Sequence, residues 1–184
     1  VQLGHYYGFA VNVYGFSTNA HTLDAQNAFE RGLNATIPGL AGADELSGIG
    51  EMEAGVMGSF AQMVLDNELA GSVHRLRAGL SADAEHLAVE IIGNVMNGTR
   101  NFLGQKHTMK HLRGGELALT KLAERNSWDT WEEKLERKGM ADHAVDEAER
   151  ILREHTVPPL EPQQEKELDR ILSAAAQATE KVKK

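Results

Sequence analysis

The sequence contains no cysteine, which excludes disulfide bonds and thiolate metal ligands and suits a reducing compartment. No apolar run approaches the roughly 20 residues of a membrane-spanning helix, and no signal-peptide pattern opens the chain. Basic residues number 19 against 27 acidic ones, and the net charge of −8 argues against general nucleic-acid binding. We therefore expect a cytoplasmic protein that does not bind nucleic acid or a membrane.

The chain has 184 residues, 41% of them hydrophobic, which is enough for one packed domain with an appendage. It opens with "VQLGHYYGF", which is typical of the last turns of a helix with Gly8 at its C-cap. A start inside an element predicts that more sequence precedes Val1 in the complete protein, the alternative being a trimmed chain. The one clear basic cluster, at Lys181, Lys183 and Lys184, is interpreted as a solvated helix end.

Two segments predict strands. The first is "FAVNVYGF", residues 9–16, in which alternation would place Tyr14 and Phe16 on one face and Val11 and Val13 on the other. The second is the short segment "ADELSGI".

Helical spacing fills most of the remaining chain. "TLDAQNAFERGLNATIPGLAG" predicts a helix capped by Thr22, and "SADAEHLAVEIIGNVM" predicts another capped by Ser81. Beyond Gly98 a short helix and three charged amphipathic helices are expected. A long helix from Glu53 to Leu76 is predicted from one stripe of residues: Val56, Phe60, Met63, Val64, Asn67 and Gly71.

Strands that alternate with helices imply a parallel α/β architecture. Two strands cannot form a parallel sheet that stands alone, and a complete (β/α)₈ barrel needs about 250 residues. We therefore predict the C-terminal part of a (β/α)₈ TIM barrel followed by a helical tail. Residues 1–100 would form the barrel units, and residues 101–184 a helical extension that packs on the barrel or on a partner.

The run "ADELSGIGEMEAGVMGS", residues 43–59, holds four carboxylates and four glycines without a lysine or arginine. This run and its surroundings carry a family resemblance. The segments "HYYGFAVNVYGFSTNAHTLDAQNAFERGLNATIPGLAGADELSGIGEMEAGVMGSFAQMVLDNELAG" and "RNFLGQKHTMKHLRGGE" closely resemble the trimethylamine:corrinoid methyltransferase family. The resemblance implies a (β/α)₈ barrel that moves a methyl group from trimethylamine to the Co(I) of a cognate corrinoid protein.

The resemblance also implies a pyrrolysine, encoded by an in-frame UAG codon, whose imine carbon accepts the amine nitrogen. No residue of this chain can be that pyrrolysine, so we expect the chain to be encoded by the downstream piece of such a gene. The corrinoid would be carried by the partner protein, with no cofactor bound by this chain alone.

In parallel barrels the functional residues lie at the C-terminal ends of strands, so both strand ends should meet at one mouth. A carboxylate there would protonate the imine nitrogen, and we predict Glu53 or Glu51 for that role, with Glu45 third. The alternative is that Glu51 and Glu53 complement the dipole at the first turn of a helix.

Side chains at the other strand end are predicted to bind the amine. Tyr14 and Phe16 can offer aromatic faces to a methylated ammonium ion, with Ser17 and Asn19 beside them. Core packing is the alternative for Phe16. Asn19, His21 and Asp24 could hydrogen-bond the substrate or, alternatively, cap the following helix.

Three glycines, Gly48, Gly50 and Gly55, are predicted to face the corrin ring, because glycine permits close backbone approach. Ordinary loop conformation and tight helix contacts are the alternative explanation.

The segment "HTMKH" places His107 and His111 four residues apart, but it lacks the central glutamate of HExxH, and we predict no metal site. Trp128 and Trp131 should be buried against the barrel or another subunit. A homo-oligomer and a docked corrinoid protein are the expected assemblies.

Trimethylamine is the favoured substrate. Within the enzyme class the alternative is a pyrrolysine-free methyltransferase that acts on a quaternary amine and a corrinoid protein. From a different class, the isolated chain could be a non-catalytic fragment or interaction module, because the electrophile and most of a barrel lie outside it.

Overall fold

The computed structural model describes residues 1–182, with side chains described up to residue 179. The described chain is mostly helical with few strands, so the predicted α/β class is not confirmed. The strands are β1 (Asn12–Val13), β2 (Glu45–Leu46), β3 (Glu51–Met52) and β4 (Met57–Gly58). The helices are α1 (Gln2–Tyr6), α2 (Ala25–Leu40), α3 (Phe60–Ala78), α4 (Ala84–Leu87), α5 (Val89–Met96), α6 (Lys106–Arg113), α7 (Trp128–Lys134), α8 (Met140–Glu154) and α9 (Pro162–Val182).

The chain divides into two compact units. The first covers Val1–Arg150, and the second begins at Ile151 and contains α9. The sequence placed its boundary near residue 100, where helices replace strands. No described helix is long and apolar enough to cross a membrane.

Strands β1 and β2 pair in parallel, with Asn12 opposite Glu45 and Val13 opposite Leu46. Leu46 packs on a core cluster between α2 and α3 that is formed by Phe16, Ala35 and Val73. Asn12 and Glu45 share the opposite face of the pair and are exposed. One face of this two-stranded unit is therefore covered by helices, and the other is open.

The segment predicted as the start of a long helix is instead a hairpin. Strands β3 and β4 are antiparallel, and a single 3₁₀ turn at Glu53–Gly55 joins them. Helix α3 begins only at Phe60, where the Ser59 side chain accepts a hydrogen bond from the backbone N–H of Gln62.

The stripe predicted for that helix is also wrong. Val56 is 81% exposed and Phe60 is 62% exposed. The buried residues of α3 are two polar and two apolar ones: Ala61, Gln62, Asp66 and Val73.

Other helices match the sequence more closely, with changes at their starts. Helix α2 is capped by Asp24 in place of Thr22, and Thr22 donates a hydrogen bond to that carboxylate. The helix predicted from Ser81 begins at Ala84 after an Asp83 cap, and it breaks at Ala88, which has a φ of 52°. Helices α1 and α6 to α9 confirm the predicted segments.

The helical segments beyond residue 100 contribute to a second core cluster. It contains Ala61, Leu122 and Ala144. Trp131 is half-buried and donates to the carbonyl of Lys138 at 2.7 Å, whereas Trp128 is 65% exposed. The predicted basic cluster falls largely outside the described residues: Lys183 and Lys184 are not described, nor is the side chain of Lys181.

Candidate functional site

The loops that follow β1 and β2 meet at one edge of the molecule. Because β1 and β2 are parallel, their C-terminal ends share that edge, as the sequence predicted. Backbone hydrogen bonds then join the two loops. The N–H of Phe16 donates to the carbonyl of Ser47 at 3.0 Å, and the N–H of Ala54 donates to the carbonyl of Thr18 at 2.9 Å. We call these residues, 14–20 and 47–59, the rim loops.

A buried arginine lies beneath the rim loops. The guanidinium of Arg31 donates to the carbonyl of Phe16 at 2.7 Å and to the carbonyl of Glu51. It also pairs with Asp66 at 2.6 Å, and its Nε donates to Asn27. One cation therefore holds a peptide oxygen from each rim loop.

Asp66 completes this buried pair. Its carboxylate accepts the N–H of Gly50 at 2.7 Å and the side-chain amide of Gln62 at 2.8 Å. Both charged side chains are nearly inaccessible, with Arg31 2% and Asp66 1% exposed. Burial raises the pKa of Asp66 above its ordinary value and lowers that of Arg31, because low dielectric disfavours both charged forms.

Above this pair, Tyr14 and Glu51 converge over Gly55. A Cβ atom added at Gly55 would lie 3.1 Å from the Tyr14 hydroxyl and 3.3 Å from Oε2 of Glu51. The Glu51 Oε2 atom is buried and has no hydrogen-bond partner among the described residues. Such an orphaned acceptor is costly in a folded protein, which makes Glu51 the carboxylate in this region most suited to meeting a ligand.

Glu53 lies on the same turn in a different environment. Its side chain is 45% exposed, and its Oε1 atom is 3.6 Å from Nε2 of His21. Glu53 and Ala54 both have positive φ, at 51° and 53°. Non-glycine residues in this conformation are strained and often occur at functional sites. Neither Glu51 nor Glu53 belongs to the first turn of α3, so neither complements the dipole of that helix, although Glu53 begins the short 3₁₀ turn.

Phe16 does not line the rim with Tyr14. Strand β1 ends at Val13, and the N–H of Gly15 then donates to the carbonyl of Val13 at 2.8 Å in a tight turn. This turn breaks the predicted alternation, so Tyr14 is 46% exposed while Phe16 is 2% exposed in the core. For Phe16, the structure supports the core-packing alternative.

The other predicted amine-binding residues are tied to α2 by their backbones. The carbonyl of Ser17 accepts the Asn34 amide at 3.1 Å, and the N–H of Asn19 donates to Glu30 at 2.8 Å. The Thr18 hydroxyl donates to the same carboxylate at 2.7 Å, and this bond is the main reason that the pKa of Glu30 lies below its ordinary value. The exposed side chain of Asn19 remains available to a ligand.

The remaining predicted site residues are Glu45 and the three glycines, and they lie in different surroundings. Glu45 lies exposed on the open face of β2, one residue after Asp44, whose carboxylate bonds to His5. Gly48, Gly50 and Gly55 all have positive φ. Gly50 is buried against Met63 of α3, whereas Gly48 lies beside the Tyr14 ring and Gly55 is exposed.

Sequence reasoning missed the polar scaffold of Arg31, Gln62 and Asp66. The signal was present as spacing: Asn27, Arg31, Ala35 and Gly39 recur every four residues on α2 and form its buried face. Polar residues at that spacing resemble a solvent-facing stripe, and only the paired partner on α3 reveals that they are buried.

Comparison with known proteins identifies the class. The sequence profile of the family described as trimethylamine methyltransferase (MTTB) matches residues 1–178. The chain therefore belongs to the trimethylamine methyltransferase family, and the predicted resemblance is confirmed.

Individual relatives agree with the family match. The trimethylamine methyltransferase MttB of Desulfitobacterium hafniense is 34% identical over 86% of this chain, and that of Methanosarcina barkeri is 30% identical over 96%. A glycine betaine methyltransferase of Desulfitobacterium hafniense is 31% identical over 88% of the chain. The chain spans 31% to 35% of the length of these relatives.

Proposed function

We propose that this chain forms part of the amine-binding mouth of a (β/α)₈ methyltransferase. The enzyme would move a methyl group from trimethylamine to the Co(I) of a partner corrinoid protein. The observation that carries the proposal is the convergence of Tyr14 and the unpartnered Glu51 carboxylate over Gly55, at the C-terminal edge of a parallel strand pair. Functional residues of parallel barrels occupy this edge.

The open face of β1 and β2 supports the barrel arrangement. Helices α2 and α3 cover the face that carries Leu46, as the outer helices of a barrel cover its strands. Asn12 and Glu45 then face the lumen, and Tyr14 stands at the rim of the lumen. The remaining barrel strands would be supplied outside residues 1–184.

In this proposal Tyr14 and Glu51 share the recognition of the amine. The ring of Tyr14 attracts the methylated cation by a cation–π interaction, and the Glu51 carboxylate balances its charge. Glu51 accepts the ammonium proton and passes it to the imine nitrogen of an electrophile that lies outside this chain. Glu53, more exposed and paired with His21, exchanges protons with solvent and so returns Glu51 to its starting protonation state after the product leaves.

The corrinoid partner would dock at the same edge and, when bound, supply the Co(I) nucleophile. Tyr14 lies beside both Gly48 and Gly55, and Glu51 lies beside Gly55, so these glycines make room for side chains of this chain. That they also face the corrin ring stays a prediction. The residues of this chain contribute binding and proton transfer, and none of them is assigned as a cobalt ligand.

The test uses the complete protein whose reading frame contains residues 1–184, with trimethylamine and a Co(I) corrinoid protein. Methyl transfer is measured through the loss of the Co(I) absorbance. Glu51→Gln should lower the rate by about 10²-fold or more, the usual contribution of a positioned acid or base. Glu90→Gln, an exposed glutamate on α5, is the matched control. If Glu51→Gln and Glu53→Gln both leave rate and substrate affinity unchanged, the acid assignment is wrong.

A second candidate substrate is a quaternary amine, favoured by the glycine betaine methyltransferase among the relatives. A quaternary ammonium carries no N–H proton, so it needs the Tyr14 ring but no proton exchange at Glu51. Tyr14→Leu should therefore weaken the use of either substrate class. Glu51→Gln should impair rate only with trimethylamine, and a parallel assay of the two amines separates the alternatives.

A further inference from the structure

A second cluster of ionisable side chains lies outside the rim loops, where α4, α6 and the segment after α6 meet. His86 belongs to α4, His111 to α6, and Glu116 follows α6 by three residues. One possible ligand atom from each of these residues lies within 4.8 Å of the other two. All three residues belong to the first compact unit.

Glu116 is oriented toward the two imidazoles. One of its oxygens accepts from Arg75 at 3.0 Å, which fixes the carboxylate. The other oxygen, Oε1, is 3.3 Å from Nε2 of His86 and 3.9 Å from Nδ1 of His111. A zinc ion bonded to nitrogen and oxygen at about 2.0–2.1 Å separates neighbouring tetrahedral ligands by about 3.3 Å. The observed separations are close to this value.

His86 has the second partner that metal-binding histidines commonly have. Its Nδ1 atom is 2.7 Å from Oδ1 of Asp83. Because an ionised carboxylate can only accept, Nδ1 carries a proton that it donates to Asp83. Nε2 faces Oε1 of Glu116, and a metal ion bound between these two atoms would replace a proton held there. A carboxylate that orients a histidine in this way is typical of zinc sites.

His111 faces the cluster with its Nδ1 atom, which is 3.9 Å from Oε1 of Glu116. Its other ring nitrogen, Nε2, is buried, has no hydrogen-bond partner among the described residues and lies 3.5 Å from Oε1 of Glu85. A proton on Nε2, beside that carboxylate, leaves the lone pair of Nδ1 for a metal ion. His107, the histidine that the sequence paired with His111, instead bonds to the carbonyl of Glu85 at 2.8 Å, and its ring contacts the His111 ring at a tilt of 49°. The useful histidine pair is therefore His86 and His111, which are 25 residues apart in sequence.

We propose that His86, His111 and Glu116 bind a divalent transition-metal ion, with Zn²⁺ the best match to two imidazoles and one carboxylate. Three protein ligands leave one position for water, and the ion would fix α4 against α6. This proposal departs from the sequence prediction of no metal site, because folding, and not the HTMKH spacing, creates the ligand set. It stands independently of the proposed methyltransferase function.

The experiment titrates the 184-residue chain with Zn²⁺ by calorimetry at neutral pH. One ion per chain should bind, and Asp83→Asn should weaken binding about 10- to 100-fold through loss of the orienting carboxylate. His111→Gln and Glu116→Gln should weaken it more. His155→Gln, an exposed histidine of the second unit, is the matched control and should bind as the unmodified chain does.

A second measurement uses only the unmodified chain, so it does not require any variant to fold. Co²⁺ added to the unmodified chain should give the intense visible bands of a four-coordinate ion, and Zn²⁺ should remove them. Absence of saturable Zn²⁺ binding overturns the proposal. So does wild-type affinity in folded His111→Gln and Glu116→Gln variants, or a Co²⁺ spectrum of the six-coordinate aqueous kind.

Discussion

Arg31 and Asp66 form a buried ion pair beneath the rim loops. Removing one partner leaves the other buried without compensation, which costs roughly 3–5 kcal/mol. Asp66→Asn should therefore lower the free energy of unfolding by about that amount, measured by urea denaturation followed by circular dichroism. Asp169→Asn, an exposed aspartate on α9, should change it little. Equal stability of the two variants would show that the pair contributes nothing.

Gly55 is a position where substitution by alanine should be destabilising. At φ 89°, and with Tyr14 and Glu51 over its Cα, Gly55 should not accept a methyl group. Gly55→Ala should cost roughly 1–2 kcal/mol from the backbone alone, and more from displacing those side chains.

Gly32 is the control for that substitution. It lies inside α2, and an added Cβ there would meet nothing within 4 Å. Gly32→Ala should stabilise the chain by roughly 0.5–1 kcal/mol. In parallel urea denaturation experiments the two substitutions should change the free energy of unfolding in opposite directions. A lower free energy of unfolding for Gly32→Ala would contradict the explanation.

At the scale of elements, the start of α2 can be tested, because the sequence predicted Thr22 as its cap and the structure has Asp24 there. Asp24 accepts the N–H of Asn27, and this bond is the main cause of its lowered pKa. Asp24→Ala should lower the unfolding midpoint, and Thr22→Ala should do so less, because Thr22 acts only through Asp24. If Thr22→Ala lowered the unfolding midpoint more than Asp24→Ala does, the predicted Thr22 cap would be supported instead.

The same cap has a defined pH dependence. Because folding lowers the pKa of Asp24, its contribution is present above the ordinary aspartate pKa of about 3.9 and is lost as pH falls through the folded value. The difference in midpoint between Asp24→Ala and the unmodified chain should therefore shrink in acid. A constant difference from pH 7 to pH 3 would contradict this.

Most elements could be predicted from sequence, because helical spacing and glycine or proline boundaries act locally. The hairpin of β3 and β4 could not. Val56 and Phe60 happen to lie four residues apart, and that spacing suggested a helix that the positive φ values of Glu53, Ala54 and Gly55 interrupt.

For the candidate site, Glu51 was predicted, but Arg31 was not, because its burial depends on partners 15 to 35 residues away. Local sequence patterns cannot reveal a polar residue whose burial is set by such distant contacts. The cluster of His86, His111 and Glu116 was missed for the same reason.

At the scale of the whole molecule, the chain covers about a third of its relatives and exposes large apolar side chains. On α1 and α2 these include Leu3, Tyr6, Phe29, Leu33, Ile37 and Leu40. Such surface is typical of a face covered by other protein. The remainder of a barrel is the occupant that the proposed function requires.

The isolated chain should therefore not turn over trimethylamine. Residues 1–184, incubated with trimethylamine and a Co(I) corrinoid protein, should leave the Co(I) absorbance unchanged. The complete protein is the positive control. Formation of methyl-cobalt by the chain alone would refute this expectation and the assignment of the electrophile to another segment.

The position of Arg31 also limits how the rim loops can move. Since the peptide oxygens of Phe16 and Glu51 bond to one guanidinium, neither rim loop can lift without breaking a contact to the group that holds the other. Their fluctuations should be concerted, with a single rate of opening and closing. Admission of an amine would then be gated by one collective transition and not by two independent flaps.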